Sequence, residues 1–189
     1  MVWSEAAAST VTVTANGTLG GTGSIGGKVT VNHSGWLTPG MSPGVLAVGE
    51  LQLNAGSTTF MEIDGLLRGT EYDGVDIVVE DGLAYGGTLS LAFNQTGPFP
   101  AGSVFDLFHF TGDASGSFDS VVSSGYYAGE WEWDNIDTYA LAAGWQTLLF
   151  SHATGNLTIV PEPSAFALIA LALAALGLCR PARRRRCQA

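Results

Sequence analysis

Between residues 10 and 93 the apolar side chains fall on every second position, and glycine punctuates the runs. Val11-Thr12-Val13-Thr14, Lys28-Val29-Thr30-Val31, Glu50-Leu51-Gln52-Leu53, Thr58-Thr59-Phe60-Met61-Glu62-Ile63, Asp76-Ile77-Val78-Val79 and Thr88-Leu89-Ser90-Leu91-Ala92-Phe93 carry the pattern. A period of two puts alternate side chains on opposite faces of a strand, whereas a helix needs a period near 3.6. The separators Asn16-Gly17, Gly20-Gly21, Gly26-Gly27, Asn54-Ala55-Gly56, Asp81-Gly82 and Gly86-Gly87 supply the positive φ of tight turns. Closely spaced strands between glycine corners predict a mainly β chain, wound as a parallel β-helix or folded as a β-sandwich repeat domain. Leu19, Ile25, Val29, Val31, Leu51 and Leu53 are expected to face inward.

The pattern divides the chain into an N-terminal segment (1–10), a Gly-rich β-repeat region (11–96), a second β segment with clustered aromatics (97–159) and a tail (160–189). Residues 1–8 have neither the basic n-region nor the apolar h-region of a signal peptide. The start therefore reads as truncated or misassigned, and the chain as the C-terminal part of a longer precursor.

The tail begins Val160, Pro161, Glu162, Pro163, Ser164, continues as an uncharged apolar run over 165–179, and ends in Arg180, Arg183, Arg184, Arg185 and Arg186. As a helix the run would reach roughly 22 Å, short of the ~30 Å hydrocarbon core, so it would cross only with thinning or snorkelling. A single C-terminal transmembrane helix is expected from near Ser164. The Arg cluster acts as a cytoplasmic charge stop under the positive-inside bias, which places residues 1–160 outside.

Pro161-Glu162-Pro163, the short apolar helix and the terminal Arg cluster together resemble the PEP-CTERM sorting signal of Gram-negative bacteria. That resemblance implies recognition by a membrane-embedded exosortase, cleavage near the Pro-Glu-Pro, and delivery to the cell surface or extracellular matrix. The chain would be held in the membrane by its helix before processing, and a retained anchor is the alternative. A second stretch, Gly17 through Gly27 and then Leu37-Thr38-Pro39-Gly40-Met41-Ser42-Pro43-Gly44-Val45-Leu46-Ala47-Val48, is similar to strand repeats of autotransporter-type passenger domains. Glu71-Tyr72-Asp73, Phe105-Asp106-Leu107-Phe108 and Gly116-Ser117-Phe118-Asp119 resemble PEP-CTERM surface proteins of this type. The resemblance supplies a location and a shape, and no enzymatic activity.

Charge points the same way. The formal net charge is -10, yet five of the seven basic residues lie in the tail, leaving Lys28 and Arg68 against the sixteen carboxylates before Glu162, about -14. Such a surface repels phosphate backbones, so no nucleic-acid partner is expected. Both cysteines, Cys179 and Cys187, are in the tail, so the exported part has no disulfide or thiolate metal site.

Two catalytic patterns match and fail on physical grounds. Gly40-Met41-Ser42-Pro43-Gly44 fits a nucleophile elbow, but Pro43 has no N–H for an oxyanion hole and no helix follows. Gly21-Thr22-Gly23-Ser24-Ile25-Gly26 fits a dinucleotide-binding loop, but a strand follows where a helix is required. His33, His109 and His152 lack metal-ligand spacing, and a calcium pair at Asp73 and Asp76 lacks the usual repeat, so neither metal nor cofactor is expected. Glu62 and Asp64 share a strand side, as do Glu130, Glu132 and Asp134, the raw material of a glycosidase pair or of a solvated face.

Tyr126, Tyr127, Trp131, Trp133, Tyr139 and Trp145 crowd into twenty residues. Trp131 and Trp133 share one strand face: exposed, they would be a glycan-stacking platform, and turned inward they would close the core. The expected function is a non-enzymatic surface or matrix structural or interaction protein, with an exopolysaccharide as a partner that location allows. A carbohydrate-binding module using Trp131 and Trp133 is the alternative. A polysaccharide lyase or hydrolase using Glu62 or Asp64 stands third.

Overall fold

The computed structural model describes residues 9–134 and 136–161. The expected apolar helix, the Arg cluster, Glu162, Pro163, Ser164 and residues 1–8 lie outside the described residues. Within them every regular element is a strand. The chain runs through β1 (Val11–Val13), β2 (Thr18–Gly21), β3 (Gly23–Val31), β4 (Trp36–Pro39), β5 (Val45–Leu53), β6 (Thr58–Ile63), β7 (Gly74–Ile77), β8 (Leu83–Tyr85) and β9 (Thr88–Phe93). There follow β10 (Val104–Asp106), β11 (Phe108–His109), β12 (Ser115–Gly116), β13 (Ser120–Gly125), β14 (Gly129–Glu130), β15 (Glu132–Trp133), β16 (Thr138–Ala143), β17 (Gln146–Ser151) and β18 (Asn156–Pro161).

Apart from β10, the strands up to Gly125 belong to two sheets. One runs β1-β3-β5-β7-β11, with β8 also on β5 and β12 on β8; the other runs β2-β4-β6-β9-β13, and within both the pairing is parallel. From β1 to β7 the chain alternates between them, adding a strand to each in turn. Thr18, Trp36, Thr58, Thr88 and Ser120 consequently form one column of neighbours, with Thr88 Oγ1 3.0 Å from Ser120 Oγ. Inside, Val13 stacks on Val31 and Val31 on Leu53, all buried. At the corner beyond that column, Asn54 Nδ2 donates to Asn32 Oδ1 (2.8 Å), repeating side-chain pairing from one circuit to the next. Of the residues expected inward, Val29, Val31, Leu51 and Leu53 are buried, while Leu19 and Ile25 in the first circuit are partly buried against the core.

Two local readings change. Gly20-Gly21 and Gly26-Gly27, expected as corners, lie within β2 and β3, and Thr22 alone separates those strands. Close backbone approach explains the residue type at Gly20, where a Cβ would meet the Thr38 carbonyl oxygen at 2.7 Å. The strand expected over 76–79 stops at Ile77. Val78 and Val79 still donate backbone bonds to Val48 and Gly49, but the chain then turns out through Asp81 and rejoins β5 as β8.

A third sheet, β10-β18-β17-β16-β15, is antiparallel throughout. Its alternate residues Phe105, Leu157, Ile159, Leu148, Phe150, Tyr139 and Leu141 are buried in the same core as the parallel sheets. Tyr85 of β8 meets Phe108 at 5.4 Å and Phe118 at 5.1 Å, and Phe118 meets Phe150 of β17 at 5.8 Å. This aromatic chain joins the last parallel circuit to the antiparallel sheet.

Candidate functional site

The Pro-Glu-Pro segment starts inside the folded domain. Val160 and Pro161 are the last two residues of β18, opposite Thr147 and Gln146 of β17. Proline suits that final position, since it has no N–H to offer the ladder.

The clustered aromatics spread from Trp145, next to the residue paired with this strand end, to Trp133 and Tyr139, level with Leu157 near the start of β18. Trp131 is partly buried, and its Nε1 donates to Ser123 Oγ (2.9 Å), which donates on to the Tyr127 carbonyl (2.7 Å). Trp133 is also partly buried, tilted against Tyr139 (4.9 Å) and set edge-on to His152 (5.2 Å). Glu130, Glu132 and Asp134 face solvent. Asp134 Oδ1 accepts from the amides of Ile136, Asp137 and Thr138 (2.8, 3.0 and 3.0 Å), which lowers its pKa and fixes the turn into β16. Tyr126 and Trp145, from the same sequence cluster, are exposed. Between them Tyr127 and Gln146 are buried and bonded to each other, Tyr127 Oη donating to Gln146 Oε1 at 2.7 Å.

Of the carboxylates considered for catalysis or calcium, Asp64, Asp73 and Asp76, like Asp134, are engaged in building the fold, whereas Glu62 contributes only through its backbone. Asp64 Oδ1 accepts from Asn94 Nδ2 (2.8 Å). Asp73 is fully buried and accepts from the amides of Gly44 (2.7 Å) and Glu62 (2.8 Å), tying the Pro-Gly-rich corner to β6. Burial pushes its pKa up to about 6, although the two amides pull the other way. Asp76 Oδ1 lies 2.8 Å from Arg68 Nη1, and Arg68 Nε donates to the Asp106 carbonyl (2.7 Å). Among the described residues no group of three or more His, Cys, Asp or Glu is placed to hold a metal. Ser42 lies in the corner before β5 and the Gly21–Gly26 pattern runs from β2 into β3, so a strand follows each.

The histidines stand apart. His33 and His109 are exposed, the latter with Nδ1 3.0 Å from Asp106 Oδ2. His152 is buried among Tyr85, Phe118, Trp133, Tyr139 and Phe150. Its Nε2 accepts from the Phe118 amide (3.0 Å), so the proton is on Nδ1 and donated to the Asp137 carbonyl (2.9 Å). Burial lowers its pKa, which keeps the ring neutral.

A chain wound as strands, with a proline-rich segment leaving its final strand into an apolar and then basic tail, has the layout of an exported envelope protein with a C-terminal sorting signal. Residues 160–186 match the family model of the PEP-CTERM protein-sorting motif. The motif implies an exported, membrane-associated precursor of the cell envelope with an exosortase as its processing partner. No curated protein and no solved structure matches the chain.

Proposed function

We propose that the domain ahead of the motif is a non-enzymatic structural or interaction module of the cell surface or extracellular matrix, released there when an exosortase removes the tail. The observation that carries this reading is the motif match at 160–186 beginning on the last strand of the domain, so that the sorting segment adjoins folded structure directly. The parallel column from Thr18 to Ser120 supports a β-helix rather than a sandwich, with the antiparallel sheet closing one end. The stacking of β2 on β4 and of β3 on β5 supports the likeness to passenger-domain repeats, since the glycine run and the Pro-Gly-rich run lie in successive circuits.

Engagement of Asp64, Asp73, Asp76 and Asp134 in fold-building bonds favours a structural module over a lyase or hydrolase. Trp131 and Trp133 we read as residues that close the core, because their rings pack against it. No helix among the described residues is long and apolar enough to cross a membrane, and the run at 165–179 lies beyond them. Mass spectrometry of protein recovered from the cell surface tests the reading. A mature chain ending near Pro161-Glu162-Pro163 is expected; recovery of a chain still carrying 165–179 makes the tail an ordinary anchor.

A further inference from the structure

Beside the exit of β18 is a cavity of about 330 Å³ whose walls include Pro98, Tyr126, Trp145 and residues 142–144. Trp145 sits at the tip of the β16–β17 hairpin, in the two-residue connection between Ala143 and Gln146, where Gly144 takes φ 68°. It is 59% exposed and contributes nothing to the core. Tyr126 is 46% exposed, and its ring is set edge-to-face on buried Tyr127 (4.9 Å, 83°), which fixes the wall it forms. The floor is rigid. Tyr127 Oη accepts from the Phe99 amide (2.8 Å) and donates to Gln146 Oε1 (2.7 Å), while Gln146 Nε2 donates to the Phe99 carbonyl (2.7 Å).

The chemistry of the walls selects the class of ligand. No charged residue lines the cavity, so there is nothing to hold a carboxylate, a phosphate or a cation. The surrounding domain, at about -14, also repels polyanions. What remains is a neutral molecule with one apolar face for an aromatic ring and polar edges for backbone groups and the Tyr126 hydroxyl. A pyranose ring has that form, with axial C–H bonds on its faces and hydroxyls around its rim. The volume lies at the lower end of small-ligand sites, which suits one or two sugar units. We propose that the Tyr126–Trp145 cleft binds a hexopyranose unit of a neutral extracellular polysaccharide. The inference rests on the export reading only for where the ligand is met; binding itself is a property of the domain, measured independently of tail processing.

The test is native affinity electrophoresis of the full chain, in a detergent without a sugar headgroup, through gels containing a mixed-linkage β-glucan, a mannan or a dextran, with polygalacturonate as the polyanion. At least one neutral polymer should retard the protein. Trp145→Ala and Tyr126→Ala should each weaken the retardation about tenfold, as expected from losing one stacked aromatic. Trp36→Ala, removing an exposed tryptophan on the parallel β2-β4-β6 face, should leave it unchanged. Circular dichroism identical to the parent's shows that a variant is folded, and Trp145 lies outside the core. The proposal is overturned if none of the three neutral polymers retards the chain, if polygalacturonate retards it most, or if both aromatic variants bind as the parent does. Because Gln146 pairs with Pro161, the cleft also lies near where the tail departs. Phosphatidylcholine vesicles therefore form a separate arm: Trp145-dependent sedimentation with vesicles and no glycan retardation reassigns the cleft to the bilayer interface.

Discussion

Thr59 occupies an inward position between Leu37 and Leu89, fully buried, and its hydroxyl has no hydrogen-bond partner. A buried unpaired hydroxyl costs about 1 kcal/mol or more, and valine replaces it with a methyl of the same shape. Thr59→Val should raise the urea midpoint, with a gain of about 1 kcal/mol and an unchanged m-value. Asp73 gives a pH signature. Its folded pKa is raised from 3.8 to about 6, so its contribution to stability is complete below the unfolded value and is lost as pH rises through about 6. A rise of that size corresponds to roughly 3 kcal/mol. His152 has the opposite sign: its pKa is lowered, so its contribution is present above the unfolded value near 6.5 and lost on acidification. In Asp73→Asn the fall in stability between pH 4 and 6.5 should disappear while the acid-side loss from His152 remains. Denaturant titrations at pH 4.5, 5.5 and 7 measure both, and an unaltered pH profile in the variant removes Asp73 as the cause.

At the scale of elements, the alternating pattern was enough to place β6 over 58–63 and β9 over 88–93, because each strand has one buried face and the pattern reports it. It missed β2 and the first half of β3, since glycine has no side chain to show a face and its type suggests a turn. What decides those residues is the neighbouring strand. A Cβ on Gly49 of β5 would meet the carbonyl oxygens of Gly26 (2.5 Å) and Gly27 (2.9 Å) in β3, whereas one on Gly26 would meet nothing within 4 Å. Gly49→Ala should therefore cost about 1–3 kcal/mol from crowding, and Gly26→Ala should be neutral or slightly stabilising. Equal effects in thermal melts of the two variants would show that chain stiffening, not close approach, governs this sheet. The aromatic cluster was legible as a cluster but not as a site. Trp131, Trp133, Tyr126 and Trp145 look alike in sequence; which are covered depends on how β14 and β15 pair and on the β16–β17 turn, and both are tertiary facts.

At the scale of the whole molecule, the charge asymmetry between domain and tail makes the direction of export testable. Under the positive-inside bias Arg183–Arg186 would hold the end of the chain cytoplasmic, so replacing all four with Glu should let the tail slip through the membrane and abolish sorting with Pro161-Glu162-Pro163 intact. Fractionation followed by immunoblotting reads this out, and normal processing of the Glu variant would show that the charges do not act as a cytoplasmic stop. The antiparallel sheet gives this tail a mechanical meaning. Near its start β18 is bonded on one side to β10 and on the other to β17, and the tail continues from its free end at Pro161. A pull along the strand axis loads both ladders in shear, so their rungs must slip together rather than open one by one. Drag on a domain tethered through its tail would thus be borne by one of its doubly gripped strands, and the first circuits, at the far end of the winding, would carry none of that tension.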